Sequence, residues 1–477
     1  MRVILFRYSF FTVFRSFQVV TDMRKRHSLE DFCDRMSEQL EVNDVIPSEL
    51  YKTYDVKRGL RNANGTGVLV GLTTVSNVEG YKLLPDGTKM PSEGRLLYRG
   101  YDVRDIVGAC LDENRFGFDE VTYLLLFGHL PSAKQLEEFT LLLNSKRILP
   151  EGFAKTMIMP APSINIMNKL SRSVLALYSY DQRPDDISIS NVLRQSLDII
   201  GYFPSLISYS FKAKRSLFND TEFVHHRPIP TLSTAENILH MTRASGEFDD
   251  IEAKVLDICL MLHAEHGGGN NSTFTTHLIS SSGTDTYGVI SAAISSLKGP
   301  LHGGANIAVC HMIDDLRDHV GDIGNEAQLR EYFLKVLRGE ANDGSGRVYG
   351  LGHAIYTLSD PRAVLLKGIA RKLAQSKAME DDYMLCEYIE NKVPEIISDY
   401  TGDYETTMPA NVDLYSGFIY RALGIPDDIS TPLFALSRLS GWCAHRLEEL
   451  ITGKRLMRPA YFGIKGSTKY IPLDERK

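Results

Sequence analysis

Residues 299–316 read GPLHGGANIAVCHMIDDL and join a glycine-rich turn to a helical pattern. The apolar residues between Ala308 and Leu316 recur at helical spacing, and the Gly-Pro and Gly-Gly pairs predict a turn before them. His302 is therefore expected at or just before a helix N-terminus, where the positive end of the helix dipole disfavours protonation. A neutral imidazole there can donate a hydrogen bond to a carbonyl oxygen that is becoming an enolate. A histidine in a tight turn, without a chemical role, is the alternative for this motif alone.

Helical patterns continue on both sides of this stretch. Asp250 is placed to cap an amphipathic helix that runs to His263, and the small residues of 284–297 predict a closely packed helix. Further helical patterns cover residues 24–60, 118–127, 135–143, 164–177, 192–202 and a segment that starts at Thr431-Pro432 and ends at Gly453. Strands do not alternate with helices, which disfavours a parallel α/β sheet, and the fold class is predicted to be all-α.

Two further helix starts are marked by local motifs. Ser233 and Glu236 form a capping-box pattern, in which each side chain binds the other residue's backbone N–H. Asp360 followed by Pro361 predicts an N-cap and a proline at the first helical position.

A small hairpin is predicted beside the helices. Residues 67–75 are rich in Val and Thr, which favour strands. Residues 81–84 are predicted to pair with residues 95–98 across the turn formed by Pro85, Asp86 and Gly87.

The composition excludes several classes of protein. The 477 residues are 43% hydrophobic and 24% charged with a net charge of −7, an ordinary globular profile without the basic balance of a nucleic-acid or membrane-surface protein. The six cysteines are spread without a CxxC pair, which favours reduced thiols in the cytoplasm over disulfides or a zinc ribbon. No apolar run reaches the roughly 20 residues of a membrane span.

Residues 1–22 are interpreted as an extension outside the fold. They hold three arginines and no acid before Asp22, a composition similar to an organellar transit peptide. We favour Met23 as the true start and a cytoplasmic protein, with an organellar matrix as the alternative.

His263 and His266 lie three residues apart at the end of a predicted helix. A helix C-terminus favours the charged imidazolium, so both histidines are candidate partners for an anion. Zinc is a weak alternative because no third ligand is near and the HExxH pattern is absent. Two histidines that cap backbone carbonyls remain the structural alternative.

A second glycine-rich turn precedes His353. Gly350 and Gly352 allow backbone amides to approach a ligand closely, although the third glycine of a dinucleotide fingerprint is missing. Arg362 follows in a capped helix start, which suits a carboxylate clamp beside a proton donor.

Three more residues complete the candidate set. Asp413 lies among apolar and small residues, where desolvation would raise its pKa toward that of a general base, although an N-cap role is the alternative. Arg438 falls on the apolar stripe of the last long helix, and Arg458 follows that helix. Together these groups suit carbon–carbon bond chemistry on a small di- or tricarboxylate.

A serine hydrolase is excluded. The HGGA sequence at residues 302–305 is similar to the oxyanion loop of esterases, but the chain has no G-x-S-x-G motif to supply the nucleophilic serine.

These motifs resemble the citrate synthase family of the helical, si type. The matching segments, in family order, are EGRLLYRGYDVRDI (93–106), FDEVTYLLLFGHLP (118–131), LSTAENILHM (232–241), HAEHGGGNNSTF (263–274), GPLHGGAN (299–306), GLGHAIY with DPRA (350–363), NVDLYSG (411–417) and FALSRLSGW with RLMRPAYF (434–462).

The resemblance implies a condensation of acetyl-CoA with oxaloacetate and water, an acyltransferase reaction at the entry of the tricarboxylic acid cycle. His302 would stabilise the acetyl-CoA enol, Asp413 would remove the methyl proton, and His353 would protonate the oxaloacetate carbonyl. The residues implied in binding the carboxylates are His266, Arg362, Arg438, Arg458 and, less directly, His263.

The resemblance also implies a homodimer in which Arg458 reaches the partner's site. The large helical domain would comprise residues 23–312 and 430–477, and a small domain of residues 313–429 would close over the substrates. No cofactor, metal, nucleic acid or membrane is implied, since acetyl-CoA is a substrate.

The coenzyme A site departs from the family. Basic residues are common in relatives just after the GxGH histidine, but Ala354, Thr357 and Leu358 are uncharged here. We predict that Arg347 and Lys367 help to hold the phosphates, beside the backbone of Gly350 and Gly352.

Three alternatives remain open at this point. A 2-methylcitrate synthase would use propionyl-CoA, and one methylene is worth only roughly 1–3 kcal/mol of discrimination. A non-catalytic homologue is disfavoured by the intact set of histidines, aspartate and arginines. A metal-dependent hydrolase built on His263 and His266 is the most distant alternative.

Overall fold

The computed structural model describes residues 29–476, so the extension predicted over residues 1–22 lies outside the described part. Residues up to Val70 and residues from Gly71 onward form two separately packed units. The described part of the first unit contains helices α1 (Leu29–Asn43) and α2 (Ser48–Thr53) and a 3₁₀ turn at Arg58–Leu60.

The second unit is almost entirely helical, which confirms the predicted all-α class. Its α-helices are α3 (Val103–Asp112), α4 (Phe118–Phe127), α5 (Ala133–Ser145), α6 (Ile166–Leu177), α7 (Ile189–Phe218), α8 (Thr234–Thr242), α9 (Asp250–His263), α10 (Asn271–Ser280), α11 (Thr286–Lys298), α12 (Ala305–His319), α13 (Glu326–Leu337), α14 (Pro361–Lys377), α15 (Glu380–Thr401), α16 (Val412–Ala422) and α17 (Asp427–Glu448). Short 3₁₀ or π turns occur at Ala154–Ile158, Tyr178–Tyr180, Glu449–Gly453 and Leu473–Glu475. No helix in the described range 29–476 is long and apolar enough to cross a membrane.

Helix α17 is the central element of the core. It is buried along nearly its whole length from Ile429 to Leu447, and it packs against α4, α7, α9 and α10. A helix that is enclosed on all sides presents every face to protein, so its polar residues meet buried partners instead of water. This placement brings Arg438, Trp442 and His445 into the interior.

A three-stranded antiparallel sheet lies in the second unit, in the order β1 (Ser76–Leu83), β2 (Lys89–Tyr98) and β3 (Tyr101–Asp102). The predicted hairpin is present, but the pairing predicted for residues 81–84 is wrong. Tyr81 pairs with Pro91, because the short turn aligns the residues nearest to it and β1 extends back to Ser76 opposite Tyr98.

The strand predicted over residues 67–75 does not form. Its Val and Thr content favours a pleated, half-buried surface, but a strand also needs a paired neighbour. Leu72 is instead 90% exposed, and β1 begins only at Ser76.

Helix starts follow their capping signals closely. The capping box of Ser233 and the N-cap of Asp360 are present as predicted. The cap of α9 is Asp249 and not Asp250, because Asp249 forms the reciprocal bonds with Glu252. Helix α17 begins at Asp427, before the predicted start at Thr431.

Candidate active site

His302 lies in the turn between α11 and α12, as the sequence predicted. The backbone N–H of Ser272 donates to its Nε2 at 3.3 Å, and the Ser272 hydroxyl lies 3.0 Å from the same atom. Trp442 donates its indole N–H to that hydroxyl at 3.2 Å. Burial, followed by the charge of Arg438, lowers the pKa of His302 to about 4. The imidazole is therefore neutral, with its proton on Nδ1, which leaves Nδ1–H as the donor.

His353 is held in the opposite tautomer by its own loop. Its Nδ1 accepts the backbone N–H groups of Ile355 at 3.0 Å and Tyr356 at 3.1 Å. A neutral His353 therefore carries its proton on Nε2, on the far side of the ring from these amides. The backbone turn thus selects the nitrogen with which His353 can donate.

The glycine-rich loop before His353 is tied to the segment that leads into α16. Asn411 donates its backbone N–H to the Gly350 carbonyl at 2.9 Å and its side-chain amide to the Gly352 carbonyl at 3.1 Å. Gly352 in turn donates to the carbonyl of Pro409 at 2.8 Å. These bonds place His353 and the start of α16 in one local framework.

Asp413 is the second residue of α16 and is half-buried. Asn411 is the N-cap of this helix, so the alternative in which Asp413 is only a cap is wrong. Burial raises the pKa of Asp413 to about 6, although the charges of Arg362 and Arg438 act in the opposite direction. The desolvated carboxyl predicted from the sequence is thereby confirmed, and its pKa suits a general base near neutral pH.

Arg362 is buried in the first turn of α14 and is oriented by the residue that caps this helix. Asp360 accepts from its Nε at 3.0 Å and from its Nη2 at 2.7 Å, a two-point contact that fixes the plane of the guanidinium. The same carboxylate caps the helix through the Arg362 backbone N–H.

Arg438 is buried in the middle of α17, above the ring of Phe434. Its Nε donates to the carbonyl of His263 at 2.8 Å, while its buried Nη1 has no hydrogen-bond partner among residues 29–476. Burial lowers the pKa of Arg438 to about 10, and the group stays charged at neutral pH. A buried cation with an unsatisfied donor is suited to an anionic ligand such as a carboxylate.

His263 and His266 differ from the sequence prediction. Helix α9 ends at His263, so His266 lies beyond the helix and the two do not share a helical face. Burial, followed by the charges of Arg362 and Arg438, lowers both pKa values well below the ordinary one. The predicted imidazolium is therefore wrong for this arrangement, because desolvation and two nearby cations outweigh the helix dipole.

His263 and His266 nevertheless border the predicted site. The His266 Nε2 lies 3.1 Å from the Tyr356 hydroxyl, and its ring centroid is 5.0 Å from that of His353. His263 stacks on Phe434, with ring centroids 4.3 Å apart.

Seven predicted residues thus come together in one cluster. The charge of Arg438 lowers the pKa of His263, His266 and His302, and it also acts on Asp413. The cluster comprises His263, His266, His302, His353, Arg362, Asp413 and Arg438.

Three other predicted residues lie apart from this cluster. Arg458 is exposed in the segment after α17, and none of the hydrogen bonds or ion pairs within residues 29–476 joins it to the cluster. Lys367 is paired with Glu390 at 2.5 Å, and Arg347 is exposed.

Sequence reasoning missed the residues that orient the histidines. Ser272 and Trp442 hold His302, and Tyr356 contacts His266. Tyr356 follows His353 by three residues and could have been suspected from that spacing. Ser272 is 30 residues from His302 and Trp442 is 170 residues from Ser272, so no local pattern links them.

The chain belongs to the citrate synthase family. The family described as citrate synthase, C-terminal domain, matches residues 62–460. A citrate synthase of Synechocystis sp. is 31% identical over 411 residues, which cover 86% of this chain and 92% of the relative. The chain is accordingly an enzyme of the condensing, transferase type.

Two further similarities bear on substrate and structure. A 2-methylcitrate synthase of Corynebacterium glutamicum is 30% identical over 429 residues, covering 88% of this chain and 98% of the relative. The crystallised citrate synthase of Thermoplasma acidophilum, a ternary complex with carboxymethyl coenzyme A and oxaloacetate, is 25% identical with a TM-score of 0.71. The likeness covers 88% of this chain and 99% of that one. Both substrate preferences therefore occur among relatives of comparable identity.

Proposed function

We propose that the chain is a citrate synthase that condenses acetyl-CoA with oxaloacetate and water to give citrate and coenzyme A. The observation that supports this most directly is the buried cluster itself. It combines a carboxyl group with a pKa of about 6 at Asp413, two histidines that each accept a backbone N–H on one ring nitrogen, and two buried arginines. The reaction requires a base, donors for two carbonyl oxygens and partners for carboxylates, and the cluster offers each of these.

The first step is enolisation. Asp413 removes a proton from the acetyl methyl group, and the Nδ1–H of His302 donates to the thioester oxygen, where negative charge develops. A neutral donor is suited to an enol because it need not lose a proton completely. The Asp413 carboxylate, whose pKa is about 6, is ionised at neutral pH and ready to act.

The second step is carbon–carbon bond formation. The enol carbon attacks the oxaloacetate carbonyl carbon, and the Nε2–H of His353 supplies the proton for the new hydroxyl. Arg362, Arg438 and His266 hold the carboxylates, and the unsatisfied Nη1 of Arg438 is one donor for them. Water then hydrolyses the citryl thioester and releases coenzyme A. No cofactor takes part.

The remaining assignments extend this proposal. Residues 313–429 act as the small domain that excludes water on closure. Arg347 and Lys367 meet the coenzyme A phosphates beside Gly350 and Gly352, which requires Lys367 to leave Glu390. The enzyme works as a cytoplasmic homodimer, and Arg458 completes the partner's site.

The test is thiol release with oxaloacetate, comparing acetyl-CoA and propionyl-CoA for the wild type and Asp413→Ala. We expect fast acetyl-CoA turnover that Asp413→Ala abolishes and that Asp318→Ala, a change of an exposed aspartate on α12, leaves intact. A kcat/KM that favours propionyl-CoA would make the enzyme a 2-methylcitrate synthase with the same mechanism. A folded protein without turnover of either substrate would refute the proposal.

A further inference from the structure

A second histidine and carboxylate cluster lies beside the candidate active site. His445 of α17 and His277 of α10 face each other, with the Nδ1 of His445 3.0 Å from the Nε2 of His277. The His445 side chain is fully buried, and that of His277 is 12% exposed. The residues are 168 positions apart in the chain, which is why the sequence predicted no site here.

The outer nitrogen of each of these histidines contacts a carboxylate. His445 Nε2 lies 3.0 Å from Glu265 Oε1, and His277 Nδ1 lies 2.8 Å from Glu449 Oε2. The Ser76 hydroxyl also donates to Glu265 Oε1 at 2.9 Å, so this carboxylate is fixed behind His445. The inner nitrogens of the two rings therefore face each other at 3.0 Å, where either one shared N–H or a bound metal ion can satisfy both.

Glu448 offers a third possible ligand atom close to the facing nitrogens of His277 and His445. The Oε1 of Glu448 accepts from the N–H and the hydroxyl of Thr74 at 2.7 and 2.8 Å. Its Oε2 is buried and accepts no hydrogen bond among the described residues, and it lies 3.8 Å from His445 Nδ1. The Glu448 side chain is only 9% exposed, so an unpartnered carboxylate oxygen here is costly without a cation.

We propose that His277 Nε2, His445 Nδ1 and Glu448 Oε2 bind a divalent metal ion of the zinc class. The three donor atoms lie within 4.8 Å of one another. Ligand bonds of about 2.0–2.2 Å in a tetrahedral site separate the donors by about 3.3 Å, so small rotations of these side chains complete the geometry. Two imidazoles and one carboxylate form a ligand set that zinc accepts, and the carboxylates behind both histidines are the usual outer partners of such ligands.

The backbone leaves room for a fourth ligand. A Cβ atom on Gly268 would lie 3.7 Å from the His445 ring and 3.8 Å from the His277 ring, ordinary contact distances that a water molecule can share. Gly268 is half-buried and Gly269 is exposed.

The charges around the site favour a cation. Glu265, Glu448 and Glu449 supply three carboxylates, and none of the ion pairs among residues 29–476 joins an arginine or lysine to them. Arg99 donates to the Thr74 hydroxyl that contacts Glu448, and its charge also acts on Glu448 and Glu265. Arg438 acts on Glu265 as well. None of the three ligands belongs to the proposed catalytic cluster. The ion therefore joins α10 to α17 and has no chemical part in the reaction.

The proposal is tested with Co²⁺ as a spectroscopic probe for the zinc class, added to the full-length protein after treatment with a chelator. We expect one equivalent to bind with the visible absorption of tetrahedral Co²⁺ and to raise the Tm. His277→Ala and Glu448→Gln should lose both effects. Glu449→Gln, which alters only an outer partner, should weaken binding by about 10–100-fold.

The control is His311→Ala, which changes an exposed histidine on α12 and should bind like the wild type. Binding that survives in both His277→Ala and Glu448→Gln would overturn the proposal, as would the absence of tetrahedral absorption in the wild type. The circular dichroism of each variant separates loss of the site from loss of the fold.

Discussion

At Asp413, burial and two neighbouring arginines act in opposite directions on a single carboxyl group. Burial is the larger effect, and it raises the pKa from 3.8 to about 6. The same property that makes this group a suitable base at neutral pH makes its ionised form unfavourable in the folded protein. Function and stability therefore conflict at this residue.

Asp413→Asn is expected to stabilise the protein at pH 7.5. A carboxyl group whose folded pKa is raised binds its proton more tightly when folded, so its contribution to stability falls as pH rises from about 4 to about 6. The amide removes this cost, and a pKa raised from 3.8 to about 6 corresponds to a gain of about 2–3 kcal/mol. The measurement is the Tm of both proteins at pH 7.5 and pH 4.5, and the gain should fall to about one third at the lower pH, which lies between the two pKa values. A variant that is less stable at pH 7.5 would show that electrostatic attraction to Arg362 and Arg438 outweighs burial.

At the scale of elements, the loop before His353 must approach α16 closely. Gly350 has a φ of +88°, and a Cβ on it would lie 3.0 Å from Leu414 and 3.2 Å from Val309. Gly352 has a φ of +76° but open space around it. Substitutions at these two glycines therefore separate the effect of backbone conformation from the effect of close packing.

Three glycine-to-alanine changes distinguish these effects. Gly352→Ala should cost about 1–2 kcal/mol through its backbone conformation alone. Gly350→Ala should cost more and also lower kcat, because relief of the contacts moves His353. Gly368→Ala, in an open position of α14, is the matched control and should stabilise by about 0.5–1 kcal/mol. Guanidinium unfolding and kcat check all three, and equal effects at Gly350 and Gly352 would exclude a role for close packing.

In the whole molecule, Arg458 lies apart from the candidate active-site cluster of its own chain. Its exposed position after α17 agrees with a contribution to a second subunit, the arrangement proposed for a homodimer.

Subunit mixing tests this arrangement directly. Arg458→Ala and Asp413→Ala dimers should each be inactive, but unfolding and refolding them together should restore about one quarter of wild-type activity. Half of the dimers would then be mixed, and one site in each would combine an intact Asp413 with an intact Arg458 from the partner. Refolding each variant alone is the control. If the mixture stays inactive, Arg458 acts within its own chain.

The sequence by itself determined the helical class, most helix starts and the identity of the clustered residues. These follow from local causes, such as the capping box at Ser233 and the N-cap at Asp360, which involve neighbours within three residues. The family motifs, each a short run of residues, identified the family in the same way, and they predict its chemistry.

Only the tertiary structure decided the protonation of the histidines and the position of the second cluster. His263 was expected to be charged, but burial beside two arginines lowers its pKa. Neither effect can be predicted from the residues of its own helix. The tautomer of His302 depends on Ser272, and His277 meets His445 across 168 residues. Desolvation and hydrogen-bond partners depend on which elements pack together. They can therefore be determined only from the packing of α17 against its neighbours.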